Sequence, residues 1–182
     1  INKIQTILTR EPGGTKSSEL IRNLILKDYF NKNQKEKFDK YTDTLLYLAA
    51  RNEHLINKIF PALKQKKIVI CDRFLDSTYA YQVVGKKVEK KFIDFIHKKI
   101  LRNIKPNISF ILKVNRKSSN KRLKKRKTMN RYDKFSSNFY TKTQKAFLNI
   151  AKKKKNYFVL NSSKNTPVVE KEIYNIIKKK LK

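Results

Sequence analysis

Arginine at the end of an apolar strand is a ready phosphate ligand, and this sequence offers two. Arg10 closely follows the apolar run Ile4–Leu8, while Asp72 and Arg73 directly follow the run Ile68–Cys71. In parallel α/β sheets, ligands bind beyond the carboxyl ends of the strands. All three side chains are therefore placed to meet at one crevice. A guanidinium there grips a phosphate with its planar fork, and a carboxylate holds a hydrated Mg2+. Structural salt bridges at the two strand ends account for the same residues equally well.

Two further groups have spacing that suits a base. In LLYLAARNEH, Tyr47 and Arg51 stand four residues apart and share one helix face. A ring stacks on a base for roughly 1–3 kcal/mol, and an arginine one turn on can donate to a base carbonyl. The competing reading is a core aromatic beside a solvated arginine. Thr78, Tyr81 and Gln82 fall within about one helical turn. A hydroxyl, a phenol and an amide on one face can bond a base edge and crowd a sugar; helix packing with a cap explains them too. Cys71 reads as a buried strand thiol and His54 as a helix-surface residue. No pair of carboxylates has catalytic spacing.

The elements that must position these residues alternate. Ile4–Leu8 reads as a strand followed by the turn Pro12–Gly14, then a helix capped by Ser17 or Ser18 and running to Lys27. A polar stretch over Lys27–Asp39 precedes a helix over Thr42–Ile59, ended by Pro61. Ile68–Cys71 is continuously apolar, the pattern of a strand buried on both faces. Helices follow at Ser77–Val83 and Glu89–Arg102, then a strand at Ile108–Val114. Basic and amphipathic helices at Ser118–Lys127 and Tyr140–Lys154, a strand at Tyr157–Leu160 and a helix at Pro167–Leu181 complete the order. Such alternation predicts one α/β domain over residues 1–182, with a parallel sheet covered by helices on both faces.

Composition narrows the function classes. No apolar run reaches 18 residues, so no membrane span is expected. One cysteine forms no internal disulfide and two histidines make no metal cluster, which points to a reducing, cytoplasmic setting with no targeting signal. The net charge of +32 attracts polyanions. Lysine is spread along the chain, which fits a general compositional bias, but the runs RKSSNKRLKKRKTMNR (Arg116–Arg131) and KKKK (Lys152–Lys155) keep a phosphate-binding role open.

Taken together, TREPGGT (Thr9–Thr15), LLYLAAR (Leu45–Arg51) and DRFLDSTYAYQ (Asp72–Gln82) resemble the thymidylate kinases, which phosphorylate dTMP to dTDP. The similarity runs from Ile7 to the C-terminus and includes HLINKIFPAL, KPNISFILKV and NRYDKF. It implies a three-layer fold of the P-loop nucleoside-monophosphate-kinase type. Arg10 and Arg73 would hold the dTMP phosphate, and Tyr47 would stack on thymine where the family usually has Phe. Arg51 would bond a thymine carbonyl, with Thr78 and Gln82 on the polar edge of the base. Tyr81 would lie against the sugar and disfavour a 2′-hydroxyl. Asp72 would order Mg2+. Residues 116–135 resemble the family's lid, whose Arg126 and Arg131 would reach the phosphoryl group moving from ATP. Phosphoryl transfer is mainly positioning and charge neutralisation, so a conspicuous general base is not expected. A homodimer is also implied. A nucleic-acid-binding protein on a kinase-like scaffold, or an inactive remnant, are the alternatives.

The sequence departs from the family pattern in several places. It contains no GxxxxGKS/T phosphate-cradling loop. The expectation is therefore a sheet lacking its first, central strand and P-loop, with catalysis impaired. Ala50, Val83, Lys86, Lys87, Lys113 and Asn130 replace residues common in the family.

Overall fold

The computed structural model describes residues 5–27, 37–124, 132, 135–163 and 165–180. They belong to two compact units, Ile1–Lys105 with Asn130–Thr143, and Pro106–Met129 with Gln144–Lys182. In the first unit, strand β1 (Thr6–Arg10) leads through the Pro12–Gly14 turn into helix α1 (Lys16–Leu26). Gly14 takes φ +94 there, a conformation open to glycine at no steric cost. The cap is Thr15. Its hydroxyl accepts from the Ser18 N–H while Ser18 Oγ accepts from the Thr15 N–H, a reciprocal capping box. The expected caps Ser17 and Ser18 thus lie inside the helix, one turn from the residue whose extended backbone suits the role.

Asp39 caps helix α2 (Lys40–His54) by accepting from the Tyr41 N–H. The helix does not stop before Pro61 as expected. It widens into a π-type turn at Leu55–Ile59 and continues as α3 (Phe60–Lys64), with Pro61 in the first turn of the new segment. Proline is tolerated there because a first-turn N–H has no helical acceptor to lose.

Strand β2 (Ile68–Asp72) pairs in parallel with β1, setting Leu8 opposite Ile70, Thr9 opposite Cys71 and Arg10 opposite Asp72. Asp72 is thus the last residue of the strand. Leu8 is 72% exposed and Ile70 51% exposed, so one face of this pair lies open. The expectation of burial on both faces is corrected: a run of apolar residues records hydrophobicity but not which face receives a covering element. Arg73 turns the chain at φ 65, an uncommon value for a side-chain-bearing residue, into α4 (Leu75–Thr78) and a second π-type segment, Tyr79–Gly85. Helix α5 (Lys90–Ile100) follows. Leu48, Val88 and Ile93 form the buried centre, packed by Tyr41, Tyr79, Val83, Phe92 and Ile96. Burial of each such aliphatic side chain stabilises by about 1.5–3 kcal/mol.

In the second unit, β3 (Ser109–Lys113) pairs in parallel with β4 (Tyr157–Asn161), with α6 (Arg116–Lys124) and the later part of α7 (Ser137–Lys152) between them in sequence and α8 (Thr166–Lys180) after them. Leu160, Ala146, Ala151 and Val169 are its buried apolar residues. The α/β class and parallel pairing are as expected from the alternation of elements. The single covered sheet is not: the described strands form two two-stranded sheets.

Candidate functional site

The carboxyl ends of β1 and β2 bring the expected residues of the first unit into two adjoining groups. In the first, Arg51 is the hub. It lies 3% exposed on α2, and all five of its N–H donors have protein partners. Nε donates to Glu11 Oε2 at 2.8 Å, and NH2 reaches the same oxygen at 2.7 Å and the Phe74 carbonyl at 3.1 Å. NH1 donates to Thr78 Oγ1 at 2.8 Å and to His97 Nε2 at 2.7 Å. Burial raises the Glu11 carboxyl's tendency to hold its proton. The Arg51 charge and the bonds from His54 and Arg51 outweigh this and leave its pKa below the usual carboxylate value.

Glu11 also receives His54 Nδ1 at 3.2 Å. A carboxylate only accepts, so Nδ1 carries a proton, and Nε2 lies 2.6 Å from Thr9 Oγ1. His54 is fully buried at 0% exposure, which corrects its expected place on the helix surface. The helical phase that buries Arg51 also turns the residue three positions on toward β1.

The second group is aromatic. Tyr47 and Tyr81 each meet the Tyr132 ring edge-on, with centroids 5.9 and 6.0 Å away. Gln82, buried, donates to the Tyr132 hydroxyl at 3.4 Å, and that hydroxyl donates to the buried Asp43 carboxylate at 3.0 Å. Lys86 pairs with the same carboxylate oxygen and lies 5.2 Å from the Tyr132 ring centroid. Burial pushes the Lys86 ammonium down to about 8. Burial likewise pushes the Tyr47 phenol up to about 12 and the Cys71 thiol up to about 12, so neither ionises near neutrality.

Glu19 links two guanidiniums, that of Arg10 at 3.1 Å and that of Arg22 at 3.8 Å. Arg73 lies 5.5 Å over the Tyr81 ring. Arg10 contacts Glu19, and Arg22 donates to the Pro12 carbonyl at 2.6 Å. The Arg22 pKa is lowered by burial first and then by the positive charge of Arg10, with a smaller contribution from Arg73. A cleft of about 790 Å3 opens along Leu8, Arg10, Gly14, Lys16, Glu19 and Lys58.

Of the expected residues, Arg51, Thr78 and Gln82 are buried, and Arg51 bonds Thr78 directly. Tyr47 and Tyr81 both meet Tyr132, Arg73 lies over the Tyr81 ring, and Arg10 lies opposite Asp72. Arg126 and Arg131 lie outside the described residues. Arg22, Tyr132, Glu11 and His97 were missed. The ELIR spacing that sets Arg22 one turn after Glu19 was the available signal for Arg22; the other three act across long sequence separations. Among the described residues no group of three or more His, Cys, Asp or Glu is arranged to hold a metal, and no helix is long and apolar enough to cross a membrane.

Comparison with known proteins places this geometry in a family. The thymidylate kinase family model matches residues 1–173. The chain is 41% identical over 184 residues to thymidylate kinase of Aster yellows witches'-broom phytoplasma, covering 99% of this chain and 84% of that protein. It is 34% identical to the thymidylate kinase of Mycoplasmoides gallisepticum, covering 97% and 81%. The crystal structure of thymidylate kinase from Ehrlichia chaffeensis superposes with a TM-score of 0.72 at 31% identity, covering 95% of this chain and 81% of that one.

Proposed function

Because the chain belongs to the thymidylate kinase family, whose members are dTMP phosphotransferases, we propose that its first unit holds dTMP between the arginine cluster and the Arg51 hub. The observation that carries this is the placement of Arg10 at the end of β1 and of Arg73 over the Tyr81 ring, which shares its neighbour Tyr132 with Tyr47. Glu19 partly neutralises Arg10 and Arg22 in the free protein, and a phosphate can replace it on the Arg10 guanidinium.

In this reading Arg10 and Arg73 take the phosphate, Tyr47 stacks on thymine, and Tyr81 lies against the sugar. Arg51 and Thr78 address the base as one unit, joined by their 2.8 Å bond. Every Arg51 donor already has a partner, so a thymine carbonyl shares NH1 or NH2 in a three-centre bond. Gln82 reaches the base edge by exchanging its long bond to Tyr132.

Asp72, exposed at the end of β2, fits Mg2+. One carboxylate is enough for an ion that keeps several waters and binds substrate phosphates. When bound, Mg2+ neutralises charge on the phosphoryl oxygens. Arg126 and Arg131 remain the proposed contacts to the group moving from ATP. The 182 residues contain no GxxxxGKS/T loop, so we expect them, assayed by themselves, to bind dTMP yet transfer phosphoryl groups slowly. A homodimer would cover Leu20 and Leu24 on α1 and Leu45 on α2, which are 72%, 39% and 46% exposed.

Calorimetric titration with dTMP, dUMP and dGMP tests the reading. Tightest binding of dTMP is expected, and equal affinity for the three would overturn it. The +32 charge favours a second, additive behaviour, attraction to nucleic acid. It is expected to weaken steeply with salt and to show no sequence preference.

A further inference from the structure

We infer that His97 is a positioning residue for base recognition: its Nε2 lone pair, presented to Arg51 by a Tyr79–Asp94 relay, sets the rotation of the guanidinium that addresses the thymine. The inference rests on the dTMP reading above.

The direction of each bond follows from chemistry. The Asp94 carboxylate only accepts, so the Tyr79 hydroxyl donates to Oδ1 across 2.7 Å. Lys90, one turn earlier on α5, pairs with the other carboxylate oxygen. With its proton committed, the Tyr79 oxygen accepts from His97 Nδ1 at 3.4 Å. That fixes the proton on Nδ1 and leaves Nε2 bare, 2.7 Å from an Arg51 nitrogen that only donates. The Tyr79 and His97 rings also meet nearly edge-on with centroids 5.6 Å apart, which holds the imidazole plane. Burial first, and the Arg51 charge second, push the His97 pKa down to about 3, so the acceptor persists at neutral pH.

His97 matters because the anchors at Glu11 and the Phe74 carbonyl hold Nε and NH2 but not NH1. Glu11 Oε2 takes Nε and NH2, both on one side of the guanidinium. NH1, at the other corner, has one hydrogen on His97 and the other on Thr78. Without His97 the group keeps its buried ion pair and its NH2 bond to the Phe74 carbonyl, but NH1 is left with Thr78 alone and can shift toward it. Thr78 then loses its alignment with the base, while the phosphate cluster around Arg10 and Arg73 is untouched.

The test compares dTMP with 2-deoxyribose 5-phosphate, which carries the phosphate and sugar but no base. In His97→Leu, dTMP affinity is expected to fall about tenfold, the worth of one displaced hydrogen bond, with sugar phosphate affinity unchanged. His97→Gln, which returns an acceptor near the Nε2 position, is expected to recover most of the loss. Tyr79→Phe is expected to fall between. In the unmodified protein, 15N imidazole resonances are expected to show His97 protonated on Nδ1. Parallel weakening of both ligands, no weakening in His97→Leu, or a proton on Nε2 would each overturn the inference. Unmodified protein that binds dTMP no better than the sugar phosphate would instead sink the dTMP reading, and the imidazole resonances would still decide the link between His97 and Arg51.

Discussion

The carboxylate of Glu19 rests on the Arg10 guanidinium, with its two oxygens 3.1 and 3.2 Å from NH2, and also accepts the Gly14 N–H at 2.9 Å. An internal anion therefore occupies donors that suit an incoming phosphate. The pair is partly exposed, 54% and 35%, so its strength is that of a surface ion pair, about 0–1 kcal/mol. Glu19→Gln is expected to tighten inorganic phosphate binding by no more than about fivefold at low salt, an advantage that fades as salt screens the charges. Weaker binding in the variant would mean that Glu19 instead holds Arg10 in its productive pose.

Arg51 is buried and ties α2 to Glu11, Phe74, Thr78 and His97. Arg51→Leu leaves the Glu11 carboxylate buried without its main partner, and removing one member of a buried pair costs about 3–5 kcal/mol. Arg51→Lys is expected to recover little, since an ammonium cannot reproduce the fork shared by Glu11, Thr78 and His97. Urea unfolding gives the difference. A loss below about 1 kcal/mol would show that Glu11 is not held as a buried carboxylate.

Acid sensitivity has two windows. His97 binds its proton with a pKa of about 3 in the fold, against 6.5 for the free side chain. Between those values the unfolded chain holds more protons, so stability is present above pH 6.5 and lost as pH falls below it. Glu11 has a folded pKa below 4.5, so its contribution is lost only at lower pH. The melting temperature is expected to fall between pH 6.5 and 5 in the unmodified protein and to stay flatter there in His97→Gln. Equal slopes for the two proteins would rule out a neutral, buried His97.

Two glycines are expected to resist substitution for different reasons. At Gly14, φ +94 strains any side chain, and a Cβ would lie 2.5 Å from Thr9 Oγ1 and 2.7 Å from His54 Nε2, wedging apart a bonded pair. At Gly85 a Cβ would lie 2.5 Å from the Phe139 ring. Gly14→Ala is expected to lose more than about 1 kcal/mol, and Gly85→Ala about 1–3 kcal/mol from overpacking. Thermal melts of both variants check this; an unchanged melting point for Gly14→Ala would contradict the turn geometry.

Much of the site was legible because its residues sit at strand ends or share helix faces. Tyr47 with Arg51, and Thr78 with Gln82, are separated by four positions, and period alone puts each pair on one side of a helix. What period cannot show is contact across the fold. His97 meets Arg51 over 46 positions, and Tyr132 meets Asp43 over 89. His54 read as a surface residue because its partners on the β1 side, Thr9 and Glu11, are equally remote. Pro61 misled for another reason: proline forbids a helix interior but not a first turn, and the π-type turn before it makes a new first turn. The continuous run at Ile68–Cys71 carried strand identity correctly and coverage incorrectly, since Ile70 faces outward.

The paired Leu8 and Ile70 side chains have a consequence for how the protein behaves in the tube. They form a sticky stripe on a short two-stranded ribbon, on a molecule whose +32 charge makes copies repel one another. Repulsion reaches only about 10 Å at 0.1 M salt and about 3 Å at 1 M, whereas contact between apolar stripes is unaffected by screening. Colloidal stability should then invert the usual habit of storing basic proteins in high salt: dilute buffer keeps the particles apart, and concentrated salt lets the stripes find each other. Light scattering across a salt series would trace that crossover.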